Sequence, residues 1–565
     1  MFLILFCIII ALTIYGFTSK NFNYWKKKKI PFIKPYPLLG NYHDLMLFKL
    51  NIGSVESNIC QKLQNEPLIG AYYGTEPVLI VQDPELIKLV TTKDFYYFSG
   101  REVSEHAYKE SLTKNLFSNY GDEWKILRQN LTPLFSSAKM RNMFYLIENC
   151  ALTFEKLIDD SIKISNINEV RSTVARFTMD CIGTCVFGLD TKSMDDKEAT
   201  NHFRFIGEQI IEATPLRSFL FQSRLIWPGI FYALGLKVFP VEIDRFFTSL
   251  LVGVFNQRRN GEKTKLRNDF VDLVLNFRQN KFITGDSIKS LKYDCKEKRH
   301  LDVDDELLVA QCFIFFAAGF ETSATTSSFT LYELAKNIDA QQRVRDEIDA
   351  YLLKHNGVLG YECVTELTFL DQCINEALRL HPVLGVITRE VVETYTFSES
   401  NLTLEKGLRV HLPVFHLHRN PKYFPNPNQF DPDRFSPELR KNITPYTYFP
   451  FGEGPRICIG KHYIHRRYYD NRCNKQTRKE TGKGTHLMSS APALINCSYT
   501  DFAGLANAGE NNDRGDFFSV FYDDCRTTTA RRLRLYFDST ITTTMRRGQL
   551  YRHCLSSVRK RRPLD

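Results

Sequence analysis

The sequence contains no internal repeat and no low-complexity segment, which excludes solenoids, propellers and fibrous proteins. Its 14 cysteines are too thinly spread over 565 residues for the disulfide framework of a small secreted domain, so reduced thiols are expected. A content of 43% hydrophobic and 13% aromatic residues can fill a large core. These features indicate a folded protein of one to three domains.

The body of the chain lacks an excess of charge. Residues 461–565 carry 20 Lys+Arg and 10 Asp+Glu, which accounts for the whole net charge of +10. The remainder is therefore neutral, and we expect no nucleic-acid partner.

Charge is also missing from residues 1–17, MFLILFCIIIALTIYGF. As a helix this run spans about 26 Å, close to the apolar thickness of a bilayer. The basic cluster Lys26–Lys29 follows it, whereas a cleaved signal peptide starts with basic residues. We predict a membrane anchor over residues 1–19 with the body on the cytosolic face of the endoplasmic reticulum. A secretory signal is the alternative, and glycans at Asn130, Asn401 or Asn442 would indicate it.

The rest of the chain reads as mainly α with a small β region. Residues 20–45 are basic and proline-rich, which predicts a hinge. Alternation between Gly and Pro breaks over 67–87 predicts a hairpin, and helical periodicity dominates beyond it. Residues 279–303 are polar and are expected to form a surface connection. Residues 304–337 predict one core helix of about 50 Å.

Cys458 lies in the glycine-rich segment FPFGEGPRICIGK (449–461). No histidine partner for a cysteine hydrolase is close in sequence, although one could lie elsewhere in the chain. There is no CxxC for zinc, and His462 stands where a phosphate loop needs Ser or Thr. Axial ligation of haem iron by a shielded thiolate remains, with Phe451 on the porphyrin face and Arg456 on a propionate. A buried inert cysteine is the alternative.

FGEGPRICIG matches every fixed position of F-G-x-G-x-R-x-C-x-G, and so resembles the haem-binding loop of the cytochrome P-450 superfamily. The resemblance implies the cytochrome P-450 fold over residues 46–461, and haem b with Cys458 as the axial iron ligand.

EALRLHP (376–382) and FDPDRF (430–435) extend this resemblance. Glu376 and Arg379 are three residues apart on one helix face, where they can pair. By resemblance Arg434 is the third member of a structural network that braces the haem side. A surface salt bridge of little value is the alternative.

AGFETS (318–323) lies in the middle of the long predicted helix. Ala318 and Gly319 remove bulk where a ligand could press, and the Thr322 hydroxyl could open a local bulge. The pair Glu321 and Thr322 resembles the family's proton-delivery motif and implies a catalytic role for both. A packed Ser/Thr cluster is the alternative.

Three further residues resemble family positions that bind haem carboxylates: Trp124 and Arg128, four apart on one helix face, and Arg389. Together with Arg456 they would form a cationic edge.

RFTMDCIGTCVFGLD (176–190) and HLHRNPKYFPNPNQFDPDRF (416–435) look most like the microsomal detoxifying branch from insects. This implies insertion of one oxygen atom of O2 into lipophilic foreign compounds such as plant toxins or insecticides, or into endogenous lipids or hormones. NADPH-cytochrome P-450 reductase and cytochrome b5 are the implied partners. A haem-thiolate isomerase or dehydratase is the runner-up, against which the AGFETS segment argues.

The resemblance ends at Lys461. Residues 470–486 contain no Val, Ile, Leu, Met, Phe or Trp, so they cannot form the apolar helix that follows the cysteine loop in the family. Either the tail is an appended basic segment that binds nucleic acid or an acidic membrane, or it arises from a shifted reading frame, a retained intron or a faulty gene model. We predict that residues 462–565 are disordered or ill-packed. The alternative function is an inactive or haem-binding-only product.

Overall fold

The computed structural model describes residues 2–164, 169–195, 202–211, 214–260, 270–293 and 296–461. The tail predicted over 462–565 lies outside them. The helices of the first part are α1 (Phe2–Ser19), α2 (Tyr24–Lys27), α3 (His43–Met46), α4 (Ile52–Lys62), α5 (Pro84–Lys88) and α6 (Gly121–Leu131). They are followed by α7 (Ser137–Ile164), α8 (Val170–Ile182), α9 (His202–Ile211), α10 (Pro215–Ile226), α11 (Pro228–Ala233), α12 (Val241–Asn260) and α13 (Phe270–Asn280). The last are α14 (Asp305–Lys336), α15 (Ile338–Lys354), α16 (Cys363–Glu366), α17 (Thr368–Leu380) and α18 (Val414–His418).

The strands form a small sheet and two separate hairpins. They are β1 (Leu68–Tyr73), β2 (Glu76–Val81), β3 (Phe282–Asp286), β4 (Lys298–Asp302), β5 (Ile387–Glu390), β6 (Tyr395–Phe397), β7 (Leu402–Leu404) and β8 (Arg409–Leu412). The sheet has the order β1-β2-β8-β5, with β2 and β8 parallel and the other pairs antiparallel. The mainly α fold with a small β region and the hairpin over 67–87 are thus confirmed.

The surface connection predicted over 279–303 joins α13 to α14, and most of its described residues are exposed or half-buried; the sequence did not predict the antiparallel pair β3–β4 that it contains. Only Ile283 and Gly285 of β3 are buried, which is why the segment reads as polar. The hairpin packs on α6, where the Gln129 side chain donates to Asp286 Oδ2 at 2.6 Å and accepts from the Asp286 N–H at 2.7 Å.

The long helix predicted over 304–337 is confirmed as α14, capped by Asp304, whose Oδ1 accepts from the Leu307 N–H at 2.7 Å. Among the residues searched, α14 is the helix long and apolar enough to cross a membrane, but 67% of its most apolar window is buried in protein. It is therefore the central core helix, and its closest partner is α8.

The segment after α1, predicted as a hinge, is packed against the sheet from Tyr24 onward. Trp25 is fully buried, and its Nε1 donates to the Ala71 carbonyl at 2.8 Å. Gly70 makes room for the indole, because a Cβ at this position would lie 2.4 Å from Trp25 Cγ. Lys28 adds an ion pair to Glu405 at 2.6 Å. Only residues 20–23 separate α1 from this attached segment.

Candidate active site

The loop of Cys458 is held by its own backbone. The Cys458 N–H donates to the Phe451 carbonyl at 2.9 Å, and Phe451 packs with Cys458 beside the cluster around α17. Burial raises the pKa of the Cys458 thiol, while a hydrogen bond from the Gly460 backbone acts in the opposite direction. Within the described ranges, no group of three His, Cys, Asp or Glu could hold a metal ion.

Position 454 of this loop accepts only glycine. Its φ is +72°, and a Cβ there would lie 1.7 Å from the Thr91 carbonyl oxygen. Gly452 also has a positive φ of +75°, but a Cβ there would meet nothing closer than Ile387 Cδ1 at 3.6 Å. The close approach of residue 454 to Thr91 thus fixes the loop against the end of α5.

Four arginines from four parts of the chain gather near this loop, and we call them the arginine cluster: Arg101, Arg128, Arg389 and Arg456. The Arg456 side chain is 5% exposed and donates to three backbone carbonyls, those of Ser99, Phe117 and Asn119, at 2.9, 3.4 and 2.6 Å. Its guanidinium also lies over the Trp124 ring, 4.5 Å from the centroid. Trp124 therefore contacts an arginine of the cluster from α6.

The charges of the arginine cluster oppose one another. Burial, and to a smaller extent the nearby charge of Arg101, lower the pKa of Arg389 to about 9. Burial likewise lowers the pKa of Arg456, with contributions from the other three arginines. Among the described residues, Arg128, Arg389 and Arg456 form no ion pair with a carboxylate, and Arg389 Nε has no hydrogen-bond partner.

Such a cluster is costly unless an anion neutralises it, because burying unpaired charge in a protein is unfavourable. A group with two carboxylates beside a thiolate-bound metal would satisfy it. Haem carries two propionates, so the arginine cluster and Cys458 together fit haem.

A second charged group, which we call the α17 network, joins Glu376 and Arg379 of α17 to Arg434. Glu376 and Arg379 are fully buried and form a bidentate pair, with both N···O distances at 2.7 Å. Arg434 Nε lies 3.5 Å from Glu376 Oε1. Arg379 also donates to the carbonyls of His418 and Pro427, at 2.8 and 2.7 Å. The structure thus brings together Glu376, Arg379 and Arg434, which the sequence placed in one network.

The AGFETS segment is a continuous part of α14, so the bulge expected at Thr322 is absent from this described helix. The Thr322 hydroxyl donates to the Ala318 carbonyl at 2.7 Å without breaking the helix. Ala318 is exposed in the middle of this otherwise largely buried segment, so the face it shares with Thr322 is open to a bound molecule.

Glu321 and Gly319 face a different direction, toward α8. Glu321 Oε1 forms an ion pair with Arg171 at 2.7 Å and accepts from the Thr325 hydroxyl at 3.2 Å. A Cβ on Gly319 would lie 2.4 Å from Ile182 Cδ1. The space that a Cβ on Gly319 would fill is thus taken by Ile182 of α8, and the cofactor contact expected for Gly319 stays a prediction.

Comparison with known proteins agrees with this geometry. Residues 30–463 match the family model described as Cytochrome P450. The chain belongs to the cytochrome P450 family. A probable cytochrome P450 6a14 of Drosophila melanogaster is 35% identical over 457 residues, which cover 79% of this chain and 87% of the relative. Cytochrome P450 6k1 of Blattella germanica is 35% identical over 449 residues, covering 79% and 84%. Cytochrome P450 6B6 of Helicoverpa armigera is 34% identical over 455 residues, covering 80% and 87%.

Cytochrome P450 proteins are monooxygenases that bind haem through a cysteine thiolate, so the enzyme class and the cofactor inferred from the sequence are confirmed. Sequence reasoning did not assign Arg101 to the cationic edge. In the sequence Arg101 is a single arginine in an irregular segment, with no motif around it. The fold brings it close to Arg389.

Proposed function

We propose that this cytochrome P450 is a membrane-bound monooxygenase that inserts one oxygen atom of O2 into lipophilic foreign compounds. Its electrons would come from NADPH through NADPH-cytochrome P450 reductase, with cytochrome b5 as a second donor. The observation that carries the proposal is the juxtaposition of a shielded Cys458 with the arginine cluster. Residues 46–461 form the catalytic domain in this proposal.

Cys458 holds the haem iron, and the arginine cluster holds the haem carboxylates. Haem bound in this way supplies the activation of dioxygen. Phe451 packs beside the cysteine, which supports its placement on the porphyrin face. The Gly460 N–H donates to the sulfur, and such a bond tunes the donor strength of a thiolate ligand. In this proposal the α17 network supports the fold around the Cys458 loop and does not contact the substrate.

Thr322 and Glu321 manage protons on α14. The Thr322 hydroxyl lies on the open face of the helix, where it can orient a proton donor toward a bound ligand. Glu321 lies one residue earlier and pairs with Arg171 at 2.7 Å, and in this proposal it relays protons from solvent to the neighbourhood of Thr322. We expect Thr322→Ala to keep substrate binding while more of the consumed NADPH appears as hydrogen peroxide. Unchanged coupling would remove Thr322 from the proton path.

Association with the endoplasmic reticulum membrane is supported by two features. The first is α1, an 18-residue helix without charge. The second is an exposed apolar surface on two segments that share a buried cluster containing Leu45, Met46, Ile226 and Trp227. Its exposed residues are Leu38, Leu47, Phe48, Leu216, Phe219, Ile230 and Leu234. This surface suits contact with lipid, from which a lipophilic substrate could enter.

The test is to express the full chain, reduce the membranes and record the Soret band with carbon monoxide. A strongly red-shifted band is expected for the wild type, and it should disappear in Cys458→Ala. NADPH-dependent oxidation with added reductase then separates a competent enzyme from a haem-binding-only product. No haem, or a band typical of neutral or histidine ligation, would overturn the proposal.

A further inference from the structure

His411 is a buried histidine that lies between two carboxylates. It belongs to β8, and its side chain is fully buried. Its Nε2 lies 2.7 Å from Glu102 Oε1, and its Nδ1 contacts Glu56 Oε1 of α4. The Tyr42 hydroxyl donates to the same Glu56 oxygen at 2.7 Å. This arrangement connects the sheet, α4 and the segment before α6 at one point.

Glu102 directly follows Arg101 of the arginine cluster. The contact between His411 and Glu102 therefore fixes the backbone next to Arg101. The Arg101 side chain lies near Arg128, Arg389 and Cys458. On the sheet, β8 pairs with β5 so that His411 lies opposite Thr388, next to Arg389. The strand pair β5–β8 thus holds two of the four arginines. Arg389 belongs to β5 itself, and Arg101 is held through the contact between His411 of β8 and Glu102.

The charged groups around His411 favour its protonated form. Although burial alone lowers the pKa of His411, Glu56 and Glu102 raise it to about 9. Burial opposes ionisation of Glu102, yet His411 and Arg409 together lower the pKa of this carboxyl. The other titratable groups are Tyr42 and Tyr73, both with raised pKa because of burial. At neutral pH the contact is therefore an imidazolium between two carboxylates.

We propose that His411 and Glu102 are positioning residues that hold Arg101 in the arginine cluster and thereby slow the loss of haem. The inference rests on the proposed function, in which the arginine cluster binds the haem carboxylates. His411 does not touch the cofactor in this proposal, and it acts only through the segment of Glu102 and Arg101.

The experiment measures the rate of haem transfer from the holoenzyme to an excess of apomyoglobin. The variants are His411→Gln, Arg101→Met and the double variant of the two. Each single change is expected to speed haem loss about tenfold, the effect of one charge-assisted hydrogen bond. The double variant should lose haem no faster than Arg101→Met alone, because the two residues act in series.

A matched control is His381→Gln, which removes a half-buried histidine paired to a buried carboxylate, Glu333, at 2.7 Å. This variant should lower the melting temperature, and its haem transfer should be no faster than the lower stability alone explains. If Arg101→Met leaves the transfer rate unchanged, the role proposed for the arginine cluster fails.

If Arg101→Met speeds transfer but His411→Gln does not, or the two effects multiply, only the positioning role fails. Should His411→Gln not fold, Glu102→Gln replaces it in the same cycle. Glu102→Gln preserves shape and can still accept a hydrogen bond from His411.

Discussion

The arginine cluster and the α17 network are both buried groups of arginines, but they differ in how their charge is balanced. In the α17 network, Glu376 faces Arg379 and Arg434, and Arg379 uses its remaining donors on backbone carbonyls. In the arginine cluster the guanidinium groups of Arg128, Arg389 and Arg456 meet no carboxylate within the described part of the chain.

This difference separates a structural site from a binding site. Burial raises the pKa of Glu376 even with Arg379 beside it, so desolvation outweighs the pairing. The pair therefore adds little net stability, and it serves to join α17 to the loop of Arg434. Arg128, Arg389 and Arg456 of the arginine cluster have no carboxylate partner of this kind among the described residues. The stability of the arginine cluster depends on an anion that the protein must acquire, which is a property of a ligand site.

Arg379→Ala should give the largest effect, because it leaves Glu376 buried without its partner. We expect a loss of about 3–5 kcal/mol in the free energy of unfolding, measured by denaturant titration. The control is Arg343→Ala, which breaks an equally bidentate but exposed pair with Asp433 at 2.7 and 2.8 Å. That change should cost less than about 1 kcal/mol. Equal losses in the two variants would contradict the assigned structural role.

Alkaline pH should weaken the contacts of His411 with Glu56 and Glu102, because it removes the positive charge of the imidazole. Its pKa of about 9 in the folded protein lies above the ordinary value of about 6.5 for the unfolded chain. This stabilisation is therefore complete below pH 6.5 and is lost as the pH rises through 9. Between pH 7 and 10 the wild type should lose up to about 3 kcal/mol more than His411→Gln in denaturant titrations. Parallel pH profiles would show that His411 is not charged in the folded protein.

Arg389→Met should act in two opposite directions. The apoprotein is expected to gain about 1 kcal/mol in unfolding free energy, because a buried unpaired charge is replaced by an apolar side chain of similar length. The holoenzyme should instead lose haem faster. Thermal unfolding of both forms measures the two effects, and a loss of stability in the apoprotein would place the arginine cluster in the same class as the α17 network.

The parts of the site that could be predicted are those written as short local patterns. Cys458, Glu376, Arg379 and Arg434 were identified because each lies in a motif whose spacing reflects its contacts. The rotation of α14 could not be predicted, because this helix is apolar on nearly every side and periodicity does not define which face meets α8. The β3–β4 hairpin was missed because only alternate residues of one strand are buried.

Arg101 illustrates the limit in another way. Its neighbour Glu102 is separated from His411 by 309 positions, and this contact depends on the order in which strands join the sheet. No local spacing encodes such a contact, so a single arginine in an irregular segment gave no basis for assigning it to the haem site.

The docking of Trp25 over Gly70 sets how this enzyme would move in a bilayer. Four residues span at most about 14 Å, so in the proposed membrane-bound form the catalytic domain would stay close to α1. The two would diffuse together. Encounters with a reductase in the same membrane would then depend on two-dimensional diffusion of the whole molecule, and a soluble form would retain the attachment of Trp25 only if the chain were cut before this residue.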